Sequence, residues 1–496
     1  MTHQDISIGT FENSFAGLPD GFFARLDPTP VSEPVLLAFN AELADELGLE
    51  TAQLSRDELA LVFSGNAVPL GAEPLAAAYA GHQFGNFVPQ LGDGRAILLG
   101  EVRDRAGRLR DIQLKGSGPT PFSRRGDGRS ALGPVLREYL ISEAMHRLGV
   151  PSTRALAAVL SGDRVLREGY KPGGVMTRIA SSHIRVGSFQ YFAAGDDQAS
   201  IKRLMDYVID RHYPGAATAE SPALALLQSV IERQAKLIAH WMMIGFVHGV
   251  MNTDNMALSG ETIDFGPCAF MDAYHPDTVF SSIDQFGRYA YGRQPGIAQW
   301  NLARLAEALL PFIDPDEKKK SVELASAAIS DFAPIYHEKW LEGMRAKLGL
   351  SQKEEDDRAL IGELLDGLHR KGTDFTLAFR RLGDVHRDAS AHAFLELVEH
   401  DAVLVEWLDR YRARAAREGG DAEKRTAMMQ RINPIYIPRN HLVEAALSAA
   451  IEERDLGPFK ALHGVLAHPF EEIAGFEAFA LPAEPSERVY QTFCGT

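Results

Sequence analysis

Cysteine is nearly absent from this 496-residue chain, with only Cys268 and Cys494 present. Two thiols cannot build a structural disulfide framework or a four-ligand zinc site. No window approaches 18 uninterrupted apolar residues, so the pattern of a membrane-spanning helix is missing. Positive charge is also scarce: 51 Lys and Arg face 67 Asp and Glu, giving a formal charge of -16, and no basic stripe stands out. Phosphate backbones are bound through clustered lysine and arginine, so no nucleic-acid partner is expected. The opening MTHQDISIGTFENSF has neither the charged and apolar regions of a secretory signal nor the arginine-rich character of a transit peptide. A cytoplasmic protein with no membrane partner is the expectation. Fixed-period repeats and long flexible linkers are missing as well. What is there, 45% hydrophobic and 24% charged, is the composition of a globular chain with room for two or more domains or one large catalytic domain.

The chain is organised around His248 to Cys268, HGVMNTDNMALSGETIDFGPC, which follows a long apolar helical run. His248, Asn252, Asp254 and Asn255 cluster at its start, and Asp264 stands in Ile-Asp-Phe-Gly. The Ser259-Gly260 turn signal between apolar flanks predicts a short hairpin over 256–263 that brings Asn255 and Asp264 together. An amide oxygen and a carboxylate are hard donors suited to magnesium, which usually takes one or two protein ligands and completes its shell with water and phosphate oxygens. Protein kinases hold their metals with this pair, a catalytic-loop Asn and the Asp of Asp-Phe-Gly. In that alignment Val250 falls where the kinase catalytic Asp stands, and valine cannot accept a proton. Asp254 is the neighbouring carboxylate that can.

Upstream, Gly92 and Gly94 of Leu-Gly-Asp-Gly-Arg precede a strand over 96–102, a polar turn, and a strand over 111–115 that ends in Lys115. Glycines there would let backbone approach phosphates closely, and the order of loop, strand, turn and lysine strand is that of a kinase N-lobe. A helix over 133–145 offers Glu138 and Glu143 on different faces, and Glu138 is chosen to hold Lys115. Between lies a Gly and Arg cluster, 116–129, of anion-binding composition, containing Asp127 and Gly128. Arg178 and Arg185 sit in apolar stretches read as strands, 174–179 and 184–189. Each therefore needs a carboxylate or a phosphate to face. His82 is read as a hydrogen-bonded structural residue. Helices are expected over 35–47, 56–63 and 224–245 and through most of 300–430, with a capping box at Ser351 and Glu354 before 359–368.

Together YAGHQFGNF at 79–87, LGDGRA at 91–96, QLKGSGPTPFSRRGDGR at 113–129, HGVMNTDN at 248–255 and DFGPC at 264–268 resemble the selenoprotein O family, also called YdiU, of kinase-fold protein adenylyltransferases. The resemblance implies an α+β, protein-kinase-like two-lobed fold with a mainly β N-lobe, a helical C-lobe and extra N- and C-terminal helical and loop elements. It implies transfer of AMP from ATP to protein hydroxyls on Ser, Thr or Tyr, with the nucleotide reversed relative to kinases and Mg2+ or Mn2+ as the metal. Carried over by motif, Gly92, Gly94, Arg95, Lys115, Asp127, Gly128, Arg178 and Arg185 bind nucleotide, Asn255 and Asp264 hold the metal, and Asp254 is the base. Many eukaryotic relatives carry selenocysteine near the C-terminus, where this chain has Cys494.

The expected organisation is an N-terminal extension at 1–90, an N-lobe at 91–195, a helical C-lobe at 196–430 and a C-terminal extension at 431–496. Two other readings stand beside adenylylation: a kinase transferring the γ-phosphate, and a nucleotide-binding pseudokinase scaffold, which Val250 favours. A reversible disulfide between Cys268 and Cys494 that lowers activity when formed is the redox expectation.

Overall fold

The computed structural model describes residues 6–493. Its N-terminal part is mainly β and its C-terminal part helical. Eight strands form one sheet: β1 (Phe23–Arg25), β2 (Val35–Phe39), β3 (Leu75–Ala77), β6 (Ala96–Arg103), β7 (Leu109–Lys115), β8 (Ser130–Ala131), β9 (Arg154–Leu166) and β10 (Tyr170–Ala180). Their order is β1-β3-β6-β7-β10-β9-β2, with β8 beside β10, and the pairings are antiparallel. A separate hairpin, β4 (Gly81–Gln83) with β5 (Asn86–Val88), lies between β3 and β6 in the chain.

Two helices cover one side of the sheet, α1 (Ala41–Glu46) and α2 (Arg56–Ser64), and Leu43, Val62 and Phe63 join Leu99, Ile112, Leu114 and Val159 in a dry cluster. Ser55 and Glu58 close a capping box on α2. The other side receives α3 (Leu132–Arg147), whose Leu136, Tyr139 and Leu140 pack with Phe459, Leu462 and Val465 from near the C-terminus. Three more helices, α4 (Val186–Ala194), α5 (Gln198–His212) and α6 (Pro222–Met243), lead to the central stretch. Leu227, Val230, Ile231, Ile238 and Trp241 bury one side of α6 in the largest core.

Where α6 ends, β11 (Phe246–Val247) pairs with β12 (Ala269–Phe270). This ribbon closes 248–268 into a loop tied at its base. Helices α7 (Gln294–Ile313) and its successors account for most of 294–466.

Four local expectations are overturned. Residues 35–39 form an edge strand against β9 and only 41–46 are helical, because pairing with β9 outweighs the apolar periodicity that suggested one helix. Residues 186–189 begin α4, with Arg185 as its N-cap, instead of continuing a strand. The 256–263 segment forms no hairpin: Ala257 bridges to Arg185 and Thr262 to Ser152, so the segment pairs outward. Ser351 caps nothing; its hydroxyl and N–H both donate to Glu418, and the next helix runs Asp357–Lys371. No helix among the described residues is long and apolar enough to cross a membrane.

Candidate active site

Side chains two apart on a strand share a face, so Gln113 and Lys115 of β7 point the same way, and the β7–β10 register sets Arg178 opposite Gln113. Helix α3 crosses that face and supplies Glu138. Lys115 Nζ donates to Glu138 Oε2 at 2.6 Å and to Asp264 Oδ1 at 2.7 Å. Arg178 donates through Nε to Gln113 Oε1 at 2.7 Å and through Nη1 to Asp264 Oδ1 at 2.8 Å. Arg185, brought in by the start of α4, donates to the Asp254 carbonyl at 3.0 Å and to Asp264 Oδ2 at 3.4 Å, and lies over the Tyr79 ring. Burial alone would raise the Asp264 pKa, but Lys115, Arg178 and Arg185 outweigh it and hold the carboxyl well below the usual range. Asp264 takes a φ of 61°, in the left-handed region that aspartate tolerates better than most residues.

Asp254 lies in a one-turn helix, Thr253–Asn255, under the β4–β5 hairpin. Gln83 Nε2 donates to its Oδ2 at 3.3 Å, while its Oδ1 meets no hydrogen-bond donor among the described residues. Burial pushes the carboxyl up to about 6, against the opposing pull of Arg185. Such a group is largely ionised at neutral pH yet more basic than an ordinary carboxylate, the range useful to a general base. Asn255 donates from Nδ2 to the Val250 carbonyl at 2.9 Å, which leaves its amide oxygen as the atom for an ion. Among the described residues no three His, Cys, Asp or Glu converge as a metal cage. The two hard oxygens of Asn255 and Asp264 suit magnesium, which needs no more from a protein when phosphates complete its shell.

The rest of the loop is scaffolding. His248 is buried and its pKa is lowered by that burial; Nε2 meets the Ile263 carbonyl at 2.9 Å and Nδ1 accepts from Val250 N–H. Asn252 Oδ1 accepts from Phe84 N–H and the Tyr289 hydroxyl, and Thr253 Oγ1 accepts from His82 N–H. His82 itself meets Gln190 at 2.8 Å. The hairpin is thus fastened onto the loop that carries Asp254.

The family model described as Protein adenylyltransferase SelO matches residues 6–467. The chain belongs to the SelO family. It is similar to the protein nucleotidyltransferase YdiU of Agrobacterium fabrum, 61% identical over 489 residues that span 98% of this chain and 99% of the relative. Proteins of the same name from Rhizobium meliloti and Rhodopseudomonas palustris are 59% and 56% identical over 487 and 486 residues, each spanning 98% of this chain and 99% of the relative.

The residues that the SelO resemblance assigns to nucleotide divide into two groups. Lys115, Arg178 and Arg185 converge on Asp264 as described. The glycine loop and the basic insertion pack chiefly against each other. A Cβ on Gly92 would stand 2.3 Å from Phe122 Cγ and one on Gly94 2.8 Å from the Phe122 carbonyl, so these glycines admit the 120–123 segment. Gly128 lies against Gly118, and Asp127 is held by Arg167 at 2.8 Å, which lowers its pKa. Arg95 is half-buried and its side chain makes no ion pair or hydrogen bond among the described residues, and the same holds for exposed Arg124 and Arg125. Cys268 is buried, its Sγ donating to the Phe265 carbonyl at 3.1 Å; Cys494 lies outside the described residues.

Sequence reasoning missed four residues. Buried Asp93 accepts from Gln113 at 3.0 Å and lies 3.8 Å from Arg185; its place between two loop glycines was the available signal. Tyr79 and Gln83 come from the 79–87 motif, in which only His82 was given a role of its own. Arg137 donates to the Gly266 and Cys268 carbonyls and to Glu444. Its neighbour Glu138 drew the attention, although adjacent residues on a helix point in different directions.

Proposed function

We propose that this chain transfers AMP from ATP to hydroxyl side chains of proteins, releasing pyrophosphate, on a kinase-like two-lobed fold. The observation that carries the reading is the pairing of a buried carboxylate, Asp254, whose Oδ1 is unengaged among the described residues, with three cations gathered beside it on Asp264. Asp254 accepts the proton of the acceptor hydroxyl as its oxygen attacks the α-phosphorus. Lys115, Arg178 and Arg185 stabilise the negative charge that collects on the departing pyrophosphate, the positioning and electrostatic role that dominates phosphoryl-type transfer. Asn255 and Asp264 would hold Mg2+ or Mn2+, which neutralises phosphate charge when bound. Glu138 keeps Lys115 in place. Arg95, whose side chain has no ion-pair or hydrogen-bond partner among the described residues, is available to phosphate, as are Arg124 and Arg125.

Membership of a family named for protein adenylylation, across nearly the whole chain, supports this reading over a γ-phosphate kinase. Buried Val250 favours a pseudokinase scaffold; Asp254 answers it by offering a proton acceptor elsewhere on the loop. Incubation with ATP labelled separately at the α and γ positions tests the assignment. We expect α-label on protein; γ-label would replace adenylylation with phosphorylation, and nucleotide binding without either would leave a scaffold.

The Cys268–Cys494 switch belongs to the proposal too. Thr492 N–H donates to the Phe280 carbonyl and its hydroxyl to the Pro267 carbonyl, so the chain two residues before Cys494 lies against the residue before Cys268. Peptide mapping of oxidised protein without reductant tests the bond. A cytoplasmic location is part of the same reading.

A further inference from the structure

A groove of about 690 Å³ opens beside the Asp254 loop, between the tip of the β4–β5 hairpin at Phe84 and the segment from Ile283 to Ile297. Its surface is unusual in two respects. Phe286 is 90% exposed and Ile283 51% exposed, so two large apolar side chains stand in water on one wall. Arg288 and Arg293 also line it, and neither makes an ion pair among the described residues, whereas nearby Arg304 is paired with Glu307 at 2.8 Å. Arg288 lies against the Trp300 ring and Arg293 reaches the Phe286 carbonyl at 3.3 Å. The carboxylate lining the groove, Asp284, is buried and already accepts the backbone N–H groups of Arg288 and Tyr289, both at 2.8 Å. On a chain of formal charge -16 this is a local cationic and apolar surface.

Both walls are anchored to the catalytic loop. Phe84 N–H and the Tyr289 hydroxyl donate to the same atom, Asn252 Oδ1, at 3.1 and 2.7 Å. Gln83, next to Phe84, donates to the Asp254 carboxylate. A polypeptide lying in the groove is therefore held at a fixed distance from the proton acceptor.

We propose that this groove docks the acceptor protein and selects an extended segment in which an apolar residue and acidic side chains accompany the hydroxyl. The apolar residue packs on Phe286 and Ile283, and the carboxylates meet Arg288 and Arg293. This rests on the transferase reading above and adds the acceptor's chemistry to it.

The test uses the full chain, α-labelled ATP and three peptide sets with a central Ser, Thr or Tyr: one flanked by Leu with Asp and Glu, one by Leu with Lys and Arg, one by neutral polar residues. We expect the acidic set to be labelled at least tenfold faster than the basic one. Arg293→Glu should erase or invert that preference, and Phe286→Ser should raise the acceptor KM about tenfold while the KM for ATP stays unchanged, which also shows that the exposed-site variants are folded. Equal labelling of acidic and basic sets, or an unchanged preference in Arg293→Glu, overturns the groove while leaving transfer intact. Selective loss of self-association in Phe286→Ser, with peptide preference intact, assigns the face to a second copy of this chain instead. No α-label on any peptide or protein overturns the transferase reading, and the groove's role with it.

Discussion

Replacing Asp264 with alanine removes the one carboxylate that three cations share, and the geometry divides the cost among them. Lys115 keeps Glu138 at 2.6 Å and Arg178 keeps Gln113 at 2.7 Å, so both remain paired. Arg185 keeps the Asp254 carbonyl at 3.0 Å and the His183 carbonyl at 3.3 Å and lies over the Tyr79 ring, but its nearest carboxylate is then Asp93 at 3.8 Å. Stripping one partner from a fully buried ion pair costs about 3–5 kcal/mol. Here all three cations retain an acceptor, although Arg185 keeps only neutral carbonyls at hydrogen-bond distance, and the Asp264 side chain is 20% exposed, so the expected loss in the ligand-free protein is about 2–3 kcal/mol. At about 2.1 cal/mol/K per residue, 496 residues unfold with an entropy of about 1 kcal/mol/K, which makes this a fall of about 2–3 °C in Tm. Asp264→Asn keeps the volume and one acceptor oxygen and should melt between the two. Pyrophosphate added without metal brings negative charge to the same cations, so it should raise the Tm of Asp264→Ala more than that of the wild type. AMP transfer should be lost in both variants, because the metal is left short of a charged oxygen donor. Thermal melts with and without pyrophosphate, alongside an α-label assay, measure all of this. Transfer within a few-fold of wild type refutes the metal assignment, and an Asp264→Ala protein that melts no lower than wild type refutes the account of the shared charge.

Three further outcomes are expected. Asp254→Ala should slow transfer by ~10²–10⁴ with nucleotide affinity retained, as for loss of a general base; an equal loss of ATP binding in a titration would give Asp254 a structural role instead. Lys347 is buried against the Phe375 and Phe379 rings, and burial pushes its pKa down to about 7. An unfolded lysine titrates near 10.4, so between those values the unfolded chain binds more protons and this residue's contribution to stability rises with pH, by about 2 kcal/mol from pH 7 to pH 9. Lys347→Met should flatten that rise in denaturant titrations at the two pH values, and an identical slope in both proteins would count against it. Gly92→Ala should destabilise the protein, since its φ is 66° and its Cβ would overlap Phe122. Adding Phe122→Ala should cost less than the sum of the single changes in a double-mutant cycle, and strict additivity would dismiss the clash.

Much of the site was legible because its chemistry is carried by short contiguous motifs. Lys115 closes a strand, readable from the period of 2, while the period of 3.6 put Glu138 and Glu143 on different faces of α3, of which Glu138 meets Lys115. What escaped were contacts decided by distant partners. Val35–Phe39 looked helical because a short apolar run fits either period, and only its pairing with β9 makes it a strand. The loop glycines pointed to a ligand, yet the close approach they allow is taken by Phe122, some thirty residues later in the chain. No local pattern shows that Arg137 reaches the Asp-Phe-Gly backbone, because the acceptors there are carbonyls, which every residue carries.

That arginine ties three parts of the chain into one cooperative unit. Arg137 and Glu138 are consecutive on α3, and the first holds the Gly266 and Cys268 carbonyls while the second holds Lys115. The same guanidinium reaches Glu444, and Tyr139 packs against Phe459 and His463. Helix α3 therefore cannot pivot away from the lysine without releasing the Asp264 turn and the C-terminal helices at the same moment. In hydrogen exchange the amides of 135–145, 264–268 and 440–447 should open together, and a chain cut near residue 430 should lose the order of the Asp264 cluster although every residue proposed to face the nucleotide is still present.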